Sequence, residues 1–564
     1  MTECRTWAFD GGGAPRANRM KGRTHRGRRT EPLGAAERRG VVLLIVLFVV
    51  IVLSLSAYTF TELMLTQYDG ALSSRRAAQA RCLVDSGMET VRYLLLQDDE
   101  GLAQAGGVYD NQPTLRAVAV VPDTDPQFLG CFSVLAPVID PQGNISGVRY
   151  GLEDESARLN LNFLPVADNL LENGGRTLLM ALPGMTEDTA DAIMDWLDED
   201  EEPREYGAES EYYTRLQPAY YPKNGPLDSV EELLLVRGVT PQMLFGADSN
   251  RNGIIDPHES SSAMTAASTS VTGQNAPTAA ETTDLLRGWS PFLTLYSAER
   301  NVNASGLRRV NVNQDDMETL FNELSEVVPV EWATFIVAYR QVGPYSGDQP
   351  GEMTTGELDF AREGKTRINQ ILDLVNAKVE IQFVGQSAPV VVTSPFPGDL
   401  IAMNLYLPDL LDNCTVNPNP MIPGRININQ APRAILLGIP GMTEELVDEI
   451  VKQRDITGEG AARDNPNRRF ETWLLTEGLL FDANGMPDIA TMKQLAPFCC
   501  GGGDVHRAQV VGYFQGGGVS SRAEVVFDDT EAVPRVVFWR DLSHLGRGYN
   551  LETLGVRLTG QLGL

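Results

Sequence analysis

Histidine is nearly missing from this chain, with four in 564 residues, and the six cysteines at Cys4, Cys82, Cys131, Cys414, Cys499 and Cys500 form no C-x-x-C pair. Zinc sites built from closely spaced Cys and His are thereby excluded. Neither H-E-x-x-H nor G-x-S-x-G occurs, and Gly364-Lys365-Thr366 has Asp359 where a phosphate-binding loop needs its first glycine. Paired carboxylates mean little in a chain with 75 acidic residues, so the sequence speaks against an enzyme. Basic charge is also in short supply. The formal net charge is −29, a surface that repels phosphate backbones and attracts cations, and no nucleic-acid partner is expected. Long apolar runs are absent except for one. Val41 to Phe60 carries no charge, and about 20 helical residues rising 1.5 Å each cover the roughly 30 Å core of a bilayer.

What surrounds that run sets the topology. Arg5, Arg16, Arg19, Lys21, Arg23, Arg26, Arg28, Arg29, Arg38 and Arg39 precede it with few acids among them, so the positive-inside rule places residues 1–40 in the cytoplasm and the rest outside. A secretory signal would put small residues after its apolar region, whereas Gly40 stands before it. Proline is absent from Thr61 to Gln97, and Leu63, Leu65, Ala77, Leu83, Met88, Val91 and Leu95 alternate with polar residues, which predicts one long helix whose distal half needs a sheet to cover it. Strands are predicted far apart in sequence. CFSVLAPVID and ISGVRYGLED form a hairpin, and HRAQVVGYFQ, VSSRAEVVFD and PRVVFWRD form three strands, the first two joined by a glycine-rich turn.

If both groups share one sheet, the residues between are an insertion. That region repeats the form R-h-N-h-N, with h aliphatic, at Arg158–Asn162, Arg309–Asn313 and Arg425–Asn429. Segments near the first and third contain Pro-Gly, then Thr186 or Thr443 as a helix N-cap with acidic residues in the next turn, the plan of a helix–hairpin–helix unit. LDSVEELLLVRGVTPQMLFG follows the same plan with Pro241 in the opening turn. Such units often bind DNA, but here the second helices open with Glu187-Asp188 and Glu444-Glu445, where a phosphate would meet carboxylates.

A metal motif stands in the same region. Asp248, Asn250, Asn252, Gly253, Ile254, Asp256 and Glu259 fit a twelve-residue calcium loop, with side-chain oxygens at alternate positions, a glycine for the turn, a backbone carbonyl at Ile254 and a bidentate final glutamate. Residues 260–284 are Ser/Thr/Ala-rich and read as a flexible linker, so a lone structural calcium site is expected. The run Asp195-Trp-Leu-Asp198-Glu-Asp200 through Glu209 is crowded with carboxylates that repel one another if left unpaired. A disulfide from Cys499 or Cys500 to Cys131 or Cys414 is open in an oxidising compartment, and spacing does not fix the connectivity.

The junction Gly40-Val41 resembles a prepilin-type signal, which implies cleavage after Gly40 by a prepilin peptidase and methylation of the new N-terminus at Val41. It departs from most pilins at the fifth mature position, where Ile45 replaces a glutamate thought to neutralise a neighbouring subunit's N-terminal amine. With EDESARLNLN, DWLDEDEEPREYGAE, YYPKNGPLDSVEELLLVRGV and RININQAP, the chain resembles the general secretion pathway protein K family of type II secretion. The resemblance implies a minor pseudopilin at the pseudopilus tip, with other minor pseudopilins as partners and a single-pass anchor in the bacterial inner membrane, its bulk in the periplasm. It also implies a second calcium site among Asp195, Asp198, Asp200 and Glu209. The expected fold is α+β: a leader at 1–40, a membrane and spine helix at 41–97, the first part of a small antiparallel sheet at 98–157, an inserted α-helical domain at 158–494 and returning strands at 495–564. The alternatives are a type IV minor pilin and a membrane-anchored DNA-binding protein.

Overall fold

The structure is a computed structural model that describes residues 39–259, 285–454 and 466–556. The leader up to residue 38 and the linker at 260–284 lie outside the described residues. Helix α1 runs Arg39–Leu95, as its lack of proline and its apolar first half predict. The chain divides into two compact units, Met1–Leu72 and Ser73–Leu564. In the first, the apolar side chains from Val41 to Phe60 are exposed, and α1 is the one helix among the described residues that is long and apolar enough to cross a membrane.

In the second unit, Ala80, Leu83, Val84, Val91 and Leu94 of α1 are buried against a seven-stranded antiparallel sheet. Its strands are β1 (Val118–Val121), β2 (Gly130–Ile139), β3 (Ile145–Arg149), β4 (Glu153–Asp154), β5 (Val505–Phe514), β6 (Ser520–Asp528) and β7 (Arg535–Asp541). The order is β1-β2-β5-β6-β7, with β3 on β2 and β4 on β5. The two distant strand groups thus join in one sheet at the β2–β5 seam, where Val134 faces Val510, and residues between β4 and β5 are an insertion. The Gly517-Gly518 turn between β5 and β6 needs glycine, with φ of 81° and 89°. Close packing of α1 on the sheet needs it again: a Cβ on Gly512 would lie 2.3 Å from the Ala80 carbonyl oxygen.

The inserted lobe has its own continuous core, in which Trp289 and Trp473 are among the largest fully buried side chains. Its three R-h-N-h-N segments are structurally equivalent. Each makes a two-residue parallel ladder with a segment far along the chain: Leu159–Asn160 with Leu293–Thr294, Val310–Asn311 with Cys414–Thr415, and Ile426–Asn427 with Cys499–Cys500. In each, the first Asn side chain accepts from the backbone N–H of the second Asn, at 3.0, 3.0 and 2.9 Å. The second Asn then grips a distant backbone. Asn162 both donates to and accepts from Leu227, at 3.1 and 2.8 Å, and Asn313 does the same with Ile368, at 2.9 Å each way. Asn429 instead donates to the carbonyls of Arg468 and Gly501.

The first and third segments lead into matching helix pairs. Gly174–Leu179 and Glu187–Leu197 are joined through Gly184 at φ 68°, Arg433–Leu437 and Glu444–Gln453 through Gly441 at φ 88°. Thr186 and Thr443 cap the second helices by accepting from Thr189 and Leu446 N–H. After the middle segment, Pro329 separates Met317–Val327 from Val330–Val342 without a Pro-Gly turn. The disulfide left open by the sequence does not form: Cys131 lies in β2, Cys414 and Cys499-Cys500 lie in separate ladders of the insertion, and all four are buried free thiols.

Candidate functional site

The calcium-motif loop begins just after the helix Pro241–Phe245, which Thr240 caps. Asp248 is buried, and its carboxylate accepts from the N–H groups of Asn252 at 3.2 Å and Gly253 at 2.8 Å. Burial pushes its pKa up to about 6 against these hydrogen bonds. Asn250 and Asn252 both turn their amides across the loop to Asp256, at 2.8 and 3.4 Å, and the Asn250 side-chain oxygen is buried with no donor. Asn252 accepts from Ile254 N–H at 2.8 Å, fixing the turn whose Gly253 has φ 78°. Glu259 closes the loop, accepting from Ser249 N–H and hydroxyl at 2.9 and 2.8 Å and from Asp256 N–H at 3.0 Å. Asp256, His258 and Glu259 bring ligand atoms within 4.8 Å of one another. His258 was not singled out by the motif; its position one residue before the final glutamate is the only signal. The Asp248 carboxylate is outside that group, committed to backbone N–H, and the Ile254 side chain packs on the sheet core.

The acidic run resolves into two environments. Asp195, fully buried, is not part of a cation cluster. It accepts from Arg204 N–H at 3.2 Å and sits 3.5 Å from the Arg204 guanidinium, which also pairs with Asp168 at 2.9 Å and Asp198 at 3.4 Å. Gly207 passes so close that a Cβ there would lie 1.8 Å from the Asp195 carboxylate. The reason for the split is helical phase: Asp195 faces the core from the last turn of Glu187–Leu197, whereas Asp198 and Asp200 follow the helix end. Asp198, Asp200 and Glu209 do converge, each offering an oxygen within 4.8 Å of the others. Glu209 is 5% exposed, yet neither of its carboxylate oxygens has a donor in full hydrogen-bonding geometry, the Asn224 amide lying near enough only to hold its pKa down a little, and one oxygen of Asp198 is likewise buried without a donor. Burial first, then the charges of Asp195, Asp198 and Glu201, push the Glu209 pKa up to about 7.

Sequence reasoning missed the joint between the sheet and the inserted lobe. Arg507 of β5 reaches the fully buried Glu155 and, at 2.8 Å, Glu524 of β6. Arg540 of β7 pairs with Glu231 of the insertion at 2.8 Å, and Arg158 pairs with Glu153 of β4. Asp154 accepts from Ser156 N–H, Asn427 and Gly503 N–H at 2.7, 2.7 and 2.8 Å, tying the sheet to the third repeat. The EDESAR motif is therefore a buried polar joint, and its density of charged residues at the sheet boundary was the available signal. Gly40 lies in the first turn of α1, and Val41 and Ile45 are exposed on it.

Residues 157–245, which hold the first R-h-N-h-N segment, its helix pair and the Asp198–Glu209 cluster, match the family described as type II secretion system (T2SS), protein K, first domain. The type II secretion system protein K of Klebsiella pneumoniae is 30% identical over 214 residues, 36% of this chain and 58% of that protein, so the chain spans somewhat over half of its relative. The crystal structure of the GspK-GspI-GspJ complex of the enterotoxigenic Escherichia coli type 2 secretion system contains a chain 11% identical to this one, covering 84% of this chain and 98% of that one with a TM-score of 0.28, too low a likeness to bear on the fold. Over residues 157–245 the chain is thus similar to the first domain of type II secretion system protein K.

Proposed function

We propose that this protein is a minor pseudopilin of type II secretion, non-enzymatic, that joins other minor pseudopilins at the tip of the pseudopilus. The observation that carries the reading is a pilin-like unit, apolar helix plus antiparallel sheet, interrupted between β4 and β5 by a lobe that bears the protein K domain. The bulk of that lobe is hard to stack repeatedly in a slender filament, and Ile45 offers no carboxylate to a subunit above it, so the chain caps or initiates the assembly. Prepilin peptidase cuts after Gly40, and the helix from Val41 anchors the protein in the inner membrane with its bulk in the periplasm. Co-expression with the other minor pseudopilins, followed by purification, tests the assembly. A stoichiometric complex is expected, and frequent incorporation along whole filaments would overturn the tip placement. The N-terminal mass after co-expression with a prepilin peptidase tests processing, with cleavage lost in Gly40→Val.

Two calcium ions fit the inserted lobe. Donor-free oxygens on Glu209 and Asp198 ask for a cation, with Asp200 as the third ligand, and oxygen-only donors suit calcium. The loop would hold the other through Asp248, Asn250, Asn252, the Ile254 carbonyl, Asp256 and Glu259, with the buried donor-free oxygen of Asn250 as its support. Bound there, the ion neutralises the carboxylates and stiffens the loops. The paired helices joined at Gly184 and Gly441 are read as helix–hairpin–helix units used for packing; a Cβ on Gly438 of the third would lie 2.5 Å from Ala181 of the first. With Glu187-Asp188 and Glu444-Glu445 at the helix openings, a salt-independent failure to retain DNA is expected.

A further inference from the structure

By sequence the loop Asp248–Glu259 belongs to the insertion, but the sheet holds its backbone. Three successive loop carbonyls are taken by groups of the returning strands and of the segment that follows them. Arg522 of β6 donates to the carbonyl of Asn250, Gln509 of β5 donates to that of Arg251 at 2.6 Å, and the Tyr549 hydroxyl donates to that of Asn252 at 3.3 Å. These three side chains meet at the Gln509 side-chain oxygen, which accepts from Arg522 at 3.2 Å and lies 2.9 Å from the Tyr549 hydroxyl, whose single proton it shares with the Asn252 carbonyl. The loop answers with Asn252, whose amide donates to the Gly548 carbonyl at 2.6 Å. Ile254 packs on the same core as Tyr549, and Arg287 spans from the Gly253 carbonyl at 3.2 Å to the Ile145 carbonyl of β3 at 2.9 Å. Arg522 is fully buried, so its charge is held at this joint and nowhere else.

With the carbonyls of residues 250–252 held by these groups, the side chains of Asn250 and Asn252 turn across the loop and donate their amide N–H groups to the Asp256 carboxylate, so the motif's side chains are already drawn together in the loop. We propose that Gln509, Arg522 and Tyr549 are positioning residues for this loop, so that cation binding in the loop and seating of the inserted lobe on the pilin-like sheet are one coupled equilibrium. The inference rests on the calcium reading of the loop. A pre-ordered loop pays less ordering entropy when the ion binds, and by linkage the ion must tighten the sheet contacts by the same factor. Cation occupancy then sets how firmly the lobe is fixed to the part of the molecule that enters the filament.

The test uses the full-length protein in detergent, with Glu209→Gln as background so that calcium binding reports the loop. Gln509→Met, which keeps length and removes the shared amide, should weaken loop affinity about ten-fold, and Tyr549→Phe about three-fold, each a lost hydrogen bond or two. Melting without calcium should be little changed in Tyr549→Phe, which separates positioning from general support. Hydrogen exchange should show calcium protecting residues 248–259 and 545–550 together. Unchanged affinity in both variants, with protection confined to the loop, overturns the coupling and leaves the calcium site standing. No calcium binding by the background protein, and no effect of Glu259→Gln, overturns the site and the coupling with it.

Discussion

The two acidic loops of the inserted lobe differ in who neutralises them. In Asp248–Glu259 the carboxylates of Asp248 and Glu259 accept backbone N–H groups, five contacts of 3.2 Å or less with the Ser249 hydroxyl included. At Asp198, Asp200 and Glu209 the chain supplies the Arg204 guanidinium to one oxygen of Asp198 at 3.4 Å and the Glu202 N–H to Asp200 at 2.8 Å, but Glu209 is buried with neither oxygen in hydrogen-bonding geometry. One loop is shaped by its own backbone; the other gathers carboxylates whose repulsion Arg204 relieves only in part, through Asp198. The difference teaches that a motif with regular spacing marks loop geometry, while the stronger electrostatic demand can sit where no spacing pattern announces it.

The comparison is broken most severely by chelation. Removing calcium that stood at a hundred times its Kd costs about 2.7 kcal/mol per site and lowers the melting temperature. Glu209→Gln should reverse that response locally: it melts above wild type in chelator, where it removes a buried charge, and below it in calcium. Identical melts in both conditions would remove the cluster from the comparison. Asp248→Ala should cost about 2 kcal/mol even in chelator, because two loop N–H groups lose their acceptor, while Asp198→Ala in chelator costs nothing or stabilises. Denaturant melts of the two variants side by side read this directly.

A pH series sharpens the contrast further. Glu209 at about 7 and Asp248 at about 6 both have folded pKa values above their ordinary ones, so the folded state binds protons more tightly than the unfolded state. The contribution of these two groups to the stability of the calcium-free protein is therefore fullest below their ordinary pKa of about 4 and is lost as pH rises through about 6 and then about 7. Calcium binds the ionised groups, so the calcium-induced rise in melting temperature should be larger at pH 8 than at pH 5, and Glu209→Gln should flatten the upper part of that trend. The smallest effect is expected of Ser249→Ala, which removes one exposed hydroxyl from Glu259 and should cost about 0.5 kcal/mol, measurable as a slight loss of loop affinity.

Much of the architecture was legible because it is written locally. Alternation in ISGVRY and AQVVGY marked strands, the proline-free run to Gln97 marked α1, and the glycines at 516–518 marked the β5–β6 turn. The R-h-N-h-N repeat was visible, but its use was not, since Asn162 grips Leu227 and Asn313 grips Ile368, partners 65 and 55 residues away. Asp195 looked like its acidic neighbours until helix phase turned it into the core beside Arg204. Gln509, Arg522 and Tyr549 carried no motif at all.

Period and local chemistry are properties of neighbouring residues, and so the sequence alone determined the long apolar helix, the strands, the caps at Thr186 and Thr443 and the alternate side-chain oxygens of the loop from Asp248 to Glu259. Which carboxylates would be left without a donor depends on how the chain folds back on itself, and which cysteines would stay apart and which residues would hold the loop depend on groups far apart in sequence meeting in a buried joint. Only the tertiary structure decided those, because burial and hydrogen-bond satisfaction exist once the sheet has closed on the inserted lobe.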